Sequence, residues 1–221
     1  MPEETEIKSR KRLLDPLERI TGVLFGLIMV LTVTCSFGIA EADQIQAHKL
    51  LLAALGCNLA WGTIDAVFYL MIRFSEKGQG ILALRALRGS SDSGEAHGII
   101  ADTLPPFLAS VLSPMEFEAI RQRLNQISQV PERPQLVKDD WVAAVGVFLL
   151  VFLSTFPVVI PFIVIREPRS ALRASNGITI AMLFVTGYAF GRYAGRRPLL
   201  SAIVMAILGV VLAGFAIAVG G

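Results

Sequence analysis

The sequence predicts an all-α integral membrane protein with five transmembrane helices and a small helical cytoplasmic insertion between the second and third. The first observation behind this is composition: 54% of the 221 residues are hydrophobic and 17% are charged, whereas a soluble domain has about 25% charged residues. The mean hydropathy of +0.63 agrees. A soluble chain of this size does not bury so much apolar surface, but a bilayer covers it.

The second observation is a set of five apolar runs. Each is close to the roughly 20 residues that a helix needs to cross a hydrocarbon core about 30 Å thick. Asp65 is the only acidic or basic residue within them. The runs cover residues 20–40, 50–72, 141–165, 174–191 and 198–221. The chain then divides into a cytoplasmic N-terminal segment (1–19), transmembrane helices 1 and 2 (20–72), a cytoplasmic helical lobe (73–140) and transmembrane helices 3 to 5 (141–221).

Local signals mark where helices begin. Asp15 is placed to cap the first span, Pro16 suits the first helical position, and Glu18 completes a pattern like a capping box. Ser113, followed by Pro114 and Glu116, repeats this signature in the lobe. We therefore expect three short helices in the lobe: one over about 79–88, one from 92 or 93 towards 112 and broken by two prolines, and one from 114 onward.

The distribution of Lys and Arg predicts the orientation. Residues 1–19 hold five, residues 73–140 hold eight and residues 192–197 hold three, which leaves four for the other side of the membrane. Positive charge accumulates on the cytoplasmic side of membrane proteins. The N-terminus and the lobe are therefore expected in the cytoplasm and the C-terminus outside. We expect the plasma membrane, because the sequence shows no address for an organelle.

Several classes of function are not expected. The chain has no phosphate-binding glycine loop and no basic nucleic-acid motif, no apolar run contains His, and only one contains Asp. Intramembrane Ser–His and aspartyl proteases are thus disfavoured, and we predict that the protein is not an enzyme and has no nucleic-acid partner. Cys35 and Cys57 both lie in spans without metal-ligand spacing. We predict no resident cofactor.

Asp65 is the most informative residue of the spans. On a helix it shares one face with Asn58, Gly62 and Tyr69. A carboxylate within the bilayer requires water, a cation, a proton or a hydrogen-bonding partner, and such residues are commonly functional. Two interpretations stay open. Asp65 is either an ion or proton site, or a neutral, hydrogen-bonded residue that fastens helices together.

A stripe on the first span complements this face. Gly22 and Gly26 form a small-xxx-small pair that allows another backbone to approach closely. Met29, on the same stripe, offers a thioether to a transition metal, although packing is the more common role for such residues. The candidate residues for an ion pathway or coupling site are Asp65, Asn58, Met29, Gly22 and Gly26.

The last three spans carry a family resemblance. The stretch Ser154-Thr155-Phe156-Pro157-Val158-Val159-Ile160-Pro161-Phe162 resembles the proline-containing third span of the vacuolar iron transporter family. Residues 183–187, 191–192, 196–200 and 208–209 are similar to its fourth and fifth spans. Two features depart from that family: Gly22 to Gly26 contains no carboxylate where the family has an Asp, and Gly62-Thr63-Ile64 replaces a Gly-Glu-Tyr motif.

The resemblance implies a transporter of divalent transition metal, iron or manganese, that exchanges it for protons and forms a homodimer with the pore where the subunits meet. It also implies Fe²⁺ or Mn²⁺ binding by acidic residues of the lobe, although exposed acids are commonly a solvated face. The missing first-span Asp favours an alternative, a non-transporting multi-pass membrane protein whose cytoplasmic lobe binds a partner, whereas Asp65 favours transport. The candidate metal ligands are Glu95, His97, Asp102, Glu116 and Glu118.

Overall fold

The structure, a computed structural model, describes residues 14–36, 44–127 and 131–220. This part of the chain is all-helical and contains no strand, which confirms the predicted fold class. Its eight helices are α1 (Pro16–Ser36), α2 (Gln44–Gly89), α3 (Ser93–Thr103), α4 (Pro106–Ala109), α5 (Pro114–Asn125), α6 (Lys138–Val164), α7 (Pro168–Tyr193) and α8 (Pro198–Gly220).

Helices α1, α2, α6, α7 and α8 are long and apolar enough to cross a membrane. This confirms the five predicted spans. The fourth begins earlier than its apolar run: α7 starts at Pro168 rather than near Ala174. Proline suits the first helical position, and Arg169 and Arg173 then extend the helix beyond its apolar part.

Helix α2 is longer than expected. It runs without interruption for 46 residues, so the separate helix predicted over 79–88 is wrong. Gly78 and Gly80 lie inside it, although each glycine costs a helix about 1 kcal/mol relative to Ala. The continuation is stabilised because Leu84 and Leu87 pack into an apolar cluster with α3 and α5.

The described residues form two compact units. The first, here called the membrane unit, contains α1, α2 up to Tyr69, and the helices from Asp139 onward. The second, the lobe, is Leu70–Lys138. The observed lobe therefore begins three residues before the predicted segment, within α2.

An apolar core lies between helices of the membrane unit. Leu27 and Leu31 of α1, Val158 of α6 and Leu183 of α7 meet there with at most 1% of each residue exposed. Helix α1 also packs along α7 and α8. The first span is thus enclosed by helices of its own chain along this side.

Helices α7 and α8 form a tight hairpin. A Cβ atom on Gly191 would lie 2.8 Å from Pro198 Cα, so only glycine allows this approach. Gly195 adopts a left-handed conformation with φ of 65° in the connecting turn, which glycine tolerates without steric cost. The Arg196 backbone N–H donates to the Gly191 carbonyl at 3.0 Å. The turn is therefore closed by backbone geometry.

The lobe is built from the end of α2 together with α3, α4 and α5. Its small core contains Leu87, Ala96 and Ile100, all nearly inaccessible to solvent. The Asp92 carboxylate caps α3 by accepting from the Glu95 backbone N–H at 3.3 Å. Helix α5 begins at Pro114 as the sequence predicted.

Candidate ion-pathway site

The predicted face of α2 is largely buried. Asn58 is 0% exposed and Tyr69 is 8% exposed, Gly62 is buried, and Asp65 between them is half-buried. A Cβ on Gly62 would lie 3.2 Å from the Phe148 ring, so this part of α2 lies close against α6. The face therefore points towards other helices of the membrane unit.

Asp65 has no hydrogen bond or ion pair with any residue in the described ranges. Two polar groups of the same helix, those of Thr63 and Asn58, bond elsewhere. The Thr63 hydroxyl donates to the Leu59 carbonyl at 2.9 Å, and the Asn58 amide is directed to other helices. Nothing in the described part of the chain supports a role for Asp65 in holding helices together through hydrogen bonds.

Asn58 instead joins three helices. Its Nδ2 group donates to the Gly26 carbonyl of α1 at 3.2 Å and to the Thr155 hydroxyl of α6. Because a carbonyl can only accept, the Gly26 contact fixes which side of the amide faces α1. The Asn58 Oδ1 atom is buried and has no partner among the described residues. Asn58 thereby holds α2 in one rotation, two helical turns from Asp65.

The two first-span glycines differ. At Gly26, a Cβ would collide with Ser154 Oγ and lie 2.6 Å from the Val151 carbonyl oxygen of α6. At Gly22, the nearest atom would be Leu150 Cβ at an ordinary 3.6 Å. Both glycines thus face α6 of the same chain, so they provide no support for a contact with a second copy. Met29 on the same helix is half-buried.

The polar residues of α7 mostly bond within their own helix. The hydroxyls of Thr179 and Thr186 donate to the carbonyls one turn earlier, at 2.9 and 2.7 Å. Among the described residues of α7, Asn176 forms a hydrogen bond to another helix: its Oδ1 accepts from the Thr34 hydroxyl of α1 at 3.1 Å. Threonine commonly satisfies its hydroxyl on its own helix in this way.

The lobe brings two of its five candidate metal ligands together. His97 Nε2 lies 3.3 Å from Glu118 Oε2, and the His97 ring stacks on Phe117. Arg121 also holds both Glu118 oxygens at 2.8 Å. That hydrogen bond, helped by Gln122 and His97, lowers the pKa of Glu118 to about 2. Glu118 is therefore neutralised by a guanidinium.

The other three candidates have separate surroundings. The Glu116 carboxylate accepts from the Ser113 backbone N–H at 2.7 Å, which lowers its pKa. Glu95 lies in the first turn of α3, and Asp102 is exposed near its end. Across residues 14–36, 44–127 and 131–220, no three His, Cys, Asp or Glu side chains are grouped so that they could hold a metal ion.

The pair between Glu118 and Arg121 leads to a test. Replacing Arg121 with Gln is expected to raise the pKa of Glu118 from about 2 towards 4.5. Because the pKa is lowered in the folded state, the pair contributes stability above about pH 4.5 and loses it as the pH falls towards 2. NMR of labelled glutamate would measure the titration. Arg123→Gln on the same helix is the control, and an equal shift in both variants would contradict this assignment.

Two site residues were not singled out from the sequence. Thr155 receives the Asn58 amide, and Ser154 lies against Gly26. The available signal was a pair of hydroxyl residues just before Pro157 in an otherwise apolar span. A hydroxyl in a span commonly returns to its own backbone, as Ser154 does with the Val151 carbonyl at 2.7 Å, so this signal alone does not identify a partner.

Comparison with known proteins adds two findings. A family model described as the VIT family matches residues 95–221, which is more than half of the chain. A protein of Oryza sativa subsp. japonica named vacuolar iron transporter 1 is 40% identical over 50 residues. That segment is 23% of this chain and 20% of the rice protein, so the similarity spans only about a fifth of the relative's length.

Proposed function

The chain belongs to the VIT family, and from that premise we propose that it transports a divalent transition-metal ion, iron or manganese, across a membrane. The rice relative carries iron transport in its name. The observation that supports the proposal most is the carboxylate of Asp65. It lies in α2, a helix long enough to span the bilayer. It is half-buried and has no partner among the described residues. Transport rather than catalysis is the activity that this feature fits.

The surroundings of Asp65 support a proposed path for the ion beside α2. Much of α2 near Asp65 is covered by no other described helix: Val67 is 48% exposed and Phe68 is 54% exposed. Lipid suits these side chains, but a carboxylate facing lipid is costly. Because Asp65 itself is only half-buried, we infer that its carboxylate borders a hydrated path at the edge of this exposed part of α2. Carboxylate oxygen is a ligand that both Fe²⁺ and Mn²⁺ accept, and Met29 would add a softer donor.

We further propose a homodimer in which a second copy completes this path. The support is the exposed part of α2 rather than Gly22 and Gly26, which face α6. A monomer in mild detergent and in lipid at every concentration tested would contradict this arrangement. The lobe carries no metal site of its own in this proposal, because Glu118 is held by Arg121.

Proton exchange is the proposed coupling. Protonation of the Asp65 carboxylate removes the charge that attracts a cation, so a proton and a metal ion compete for it. No Lys or Arg lies in the five apolar runs, so no fixed cation in them occupies the carboxylate. Metal binding on one side and protonation on the other would then exchange the two ions.

The decisive experiment is metal uptake into proteoliposomes. Purified protein is reconstituted with and without a pH gradient, and Fe²⁺, Mn²⁺, Zn²⁺ and Mg²⁺ are compared with protein-free vesicles. We expect uptake of Fe²⁺ or Mn²⁺ that is faster with a proton gradient. Absence of uptake for every cation, with folded protein in the vesicles, would contradict transport and favour the alternative of a partner-binding membrane protein.

The proposed orientation has its own test. The N-terminus and the lobe lie in the cytoplasm and the C-terminus outside, because Lys and Arg concentrate on one side. Reporter fusions after Gly89 and after Gly221 are expected to report opposite sides of the membrane. The same side for both would contradict the orientation. The plasma membrane is the proposed location, whereas the rice relative is named for the vacuole, and microscopy of a tagged protein distinguishes the two.

A further inference from the structure

The turn between α7 and α8 carries three arginines on a backbone that is held in one conformation. Arg192 lies in the last turn of α7, and Arg196 and Arg197 precede α8. The turn is closed by the left-handed Gly195 and by the hydrogen bond from the Arg196 N–H to the Gly191 carbonyl. The close approach of Gly191 to Pro198 keeps the helices together directly beside it. The three guanidinium groups therefore start from backbone positions that are fixed relative to one another.

These arginines have no acidic partner among the described residues. Residues 168–221 contain five arginines and no Asp or Glu. All three arginines of the turn are exposed, and none forms an ion pair within the described part of the chain. The loop between α6 and α7 differs, since it includes Glu167, which accepts from the Ser170 hydroxyl at 2.6 Å. Among the described connections between helices, only the α7–α8 turn combines three arginines with no neighbouring carboxylate in its own segment.

The position of the turn determines which anion is nearest. Both α7 and α8 are long and apolar enough to cross the bilayer, so a turn of four residues between them lies where the lipid headgroups are. Tyr193, which is 51% exposed, is a residue typical of that interface. The phosphate of a phospholipid is the anion concentrated there, and guanidinium groups bind phosphate through paired hydrogen bonds.

We propose that the α7–α8 turn is a binding site for the headgroup phosphate of an anionic phospholipid, held by the guanidinium groups of Arg192, Arg196 and Arg197. Orientation in the membrane needs only the positive charge of these residues. Binding of phosphate needs the planar guanidinium as well, because an ammonium group cannot form the same pair of hydrogen bonds. A comparison of Arg with Lys at these positions therefore distinguishes phosphate binding from the effect of positive charge on orientation.

The test measures thermal unfolding of the purified full chain in neutral detergent. Dioleoylphosphatidylglycerol is compared with dioleoylphosphatidylcholine at equal concentration. The anionic lipid is expected to raise the unfolding temperature of the wild type by roughly 2–4 °C more than the neutral lipid, because a ligand that binds the folded state stabilises it. Replacing Arg192, Arg196 and Arg197 with Gln is expected to abolish the difference.

The matched control is Arg169→Gln with Arg173→Gln, at the other end of α7, which should keep the wild-type difference. An undiminished difference in the triple Gln variant, or an equal loss in the control, would overturn the proposal. So would the same stabilisation by inorganic phosphate, since the site would then be for a free anion. If the triple Gln variant does not insert into the membrane, the variant with Lys at all three positions is measured instead. A smaller difference in unfolding temperature between the two lipids than in the wild type supports guanidinium binding. An undiminished difference excludes it.

Discussion

Replacing Asp65 with Asn is expected to leave the protein folded and to lower metal uptake into proteoliposomes by at least about tenfold, the lower end of the losses seen when groups around a metal are removed. Asn has nearly the same shape but no negative charge. The carboxylate has no partner among the described residues, so the substitution breaks no contact there that holds the helices. The loss would therefore report the charge itself.

The pH dependence of uptake gives the sharper result. On the side from which metal enters, protons compete with it for Asp65, so wild-type uptake should rise as the pH of that compartment rises. The residual uptake of the Asn variant should show no such rise. Initial rates across a pH series, at matched amounts of reconstituted protein, measure both quantities.

Two controls limit this interpretation. Asp139→Asn removes an exposed carboxylate in the first turn of α6 and should change neither the rate nor the pH dependence. Asp65→Glu keeps the charge and should keep the pH dependence even where its longer side chain lowers the rate. Wild-type uptake with an unchanged pH profile in Asp65→Asn would rule out coupling at this residue and leave a role in packing.

The transmembrane architecture was predictable because its signals lie along the chain. A run of about 20 apolar residues has few alternatives in a bilayer, where every backbone polar group must be bonded internally. The start of α5 was predictable for a similar reason, since Ser113 and Glu116 are only three residues apart. The family, indicated by similarity in the last three spans, is confirmed by the match over residues 95–221.

Contacts between distant segments were not predictable in the same way. Thr155 lies 97 residues from Asn58, and nothing in the sequence pairs the two. The continuity of α2 was missed because Gly78 and Gly80 signal a break, while the packing of Leu87 against α3 and α5 depends on the fold. Arg121, only three residues from Glu118, was a local signal, but its role depends on a side-chain conformation that a sequence does not show.

Gly22 and Gly26 illustrate the same limit and lead to the second prediction. The sequence presents them as one small-xxx-small pair, but the structure distinguishes them. Gly26→Ala would place a methyl group against Ser154 Oγ and 2.6 Å from the Val151 carbonyl oxygen. A flexible side chain could turn away, but a backbone carbonyl cannot, so α1 and α6 must separate. Overpacking of this kind costs about 1–3 kcal/mol.

The separation would also weaken the hydrogen bond from Asn58 to the Gly26 carbonyl, which adds about 1–3 kcal/mol when a buried polar group loses its partner. We therefore expect Gly26→Ala to lower the free energy of unfolding by roughly 2–6 kcal/mol. Gly22→Ala is the matched control, because its methyl group meets Leu150 at 3.6 Å and alanine favours a helix by up to about 1 kcal/mol over glycine. Unfolding in mixed micelles with rising SDS measures both variants. Equal stability of the two variants would show that α1 and α6 do not meet at Gly26. It would also contradict the arrangement in which Asn58 bonds to both of these helices.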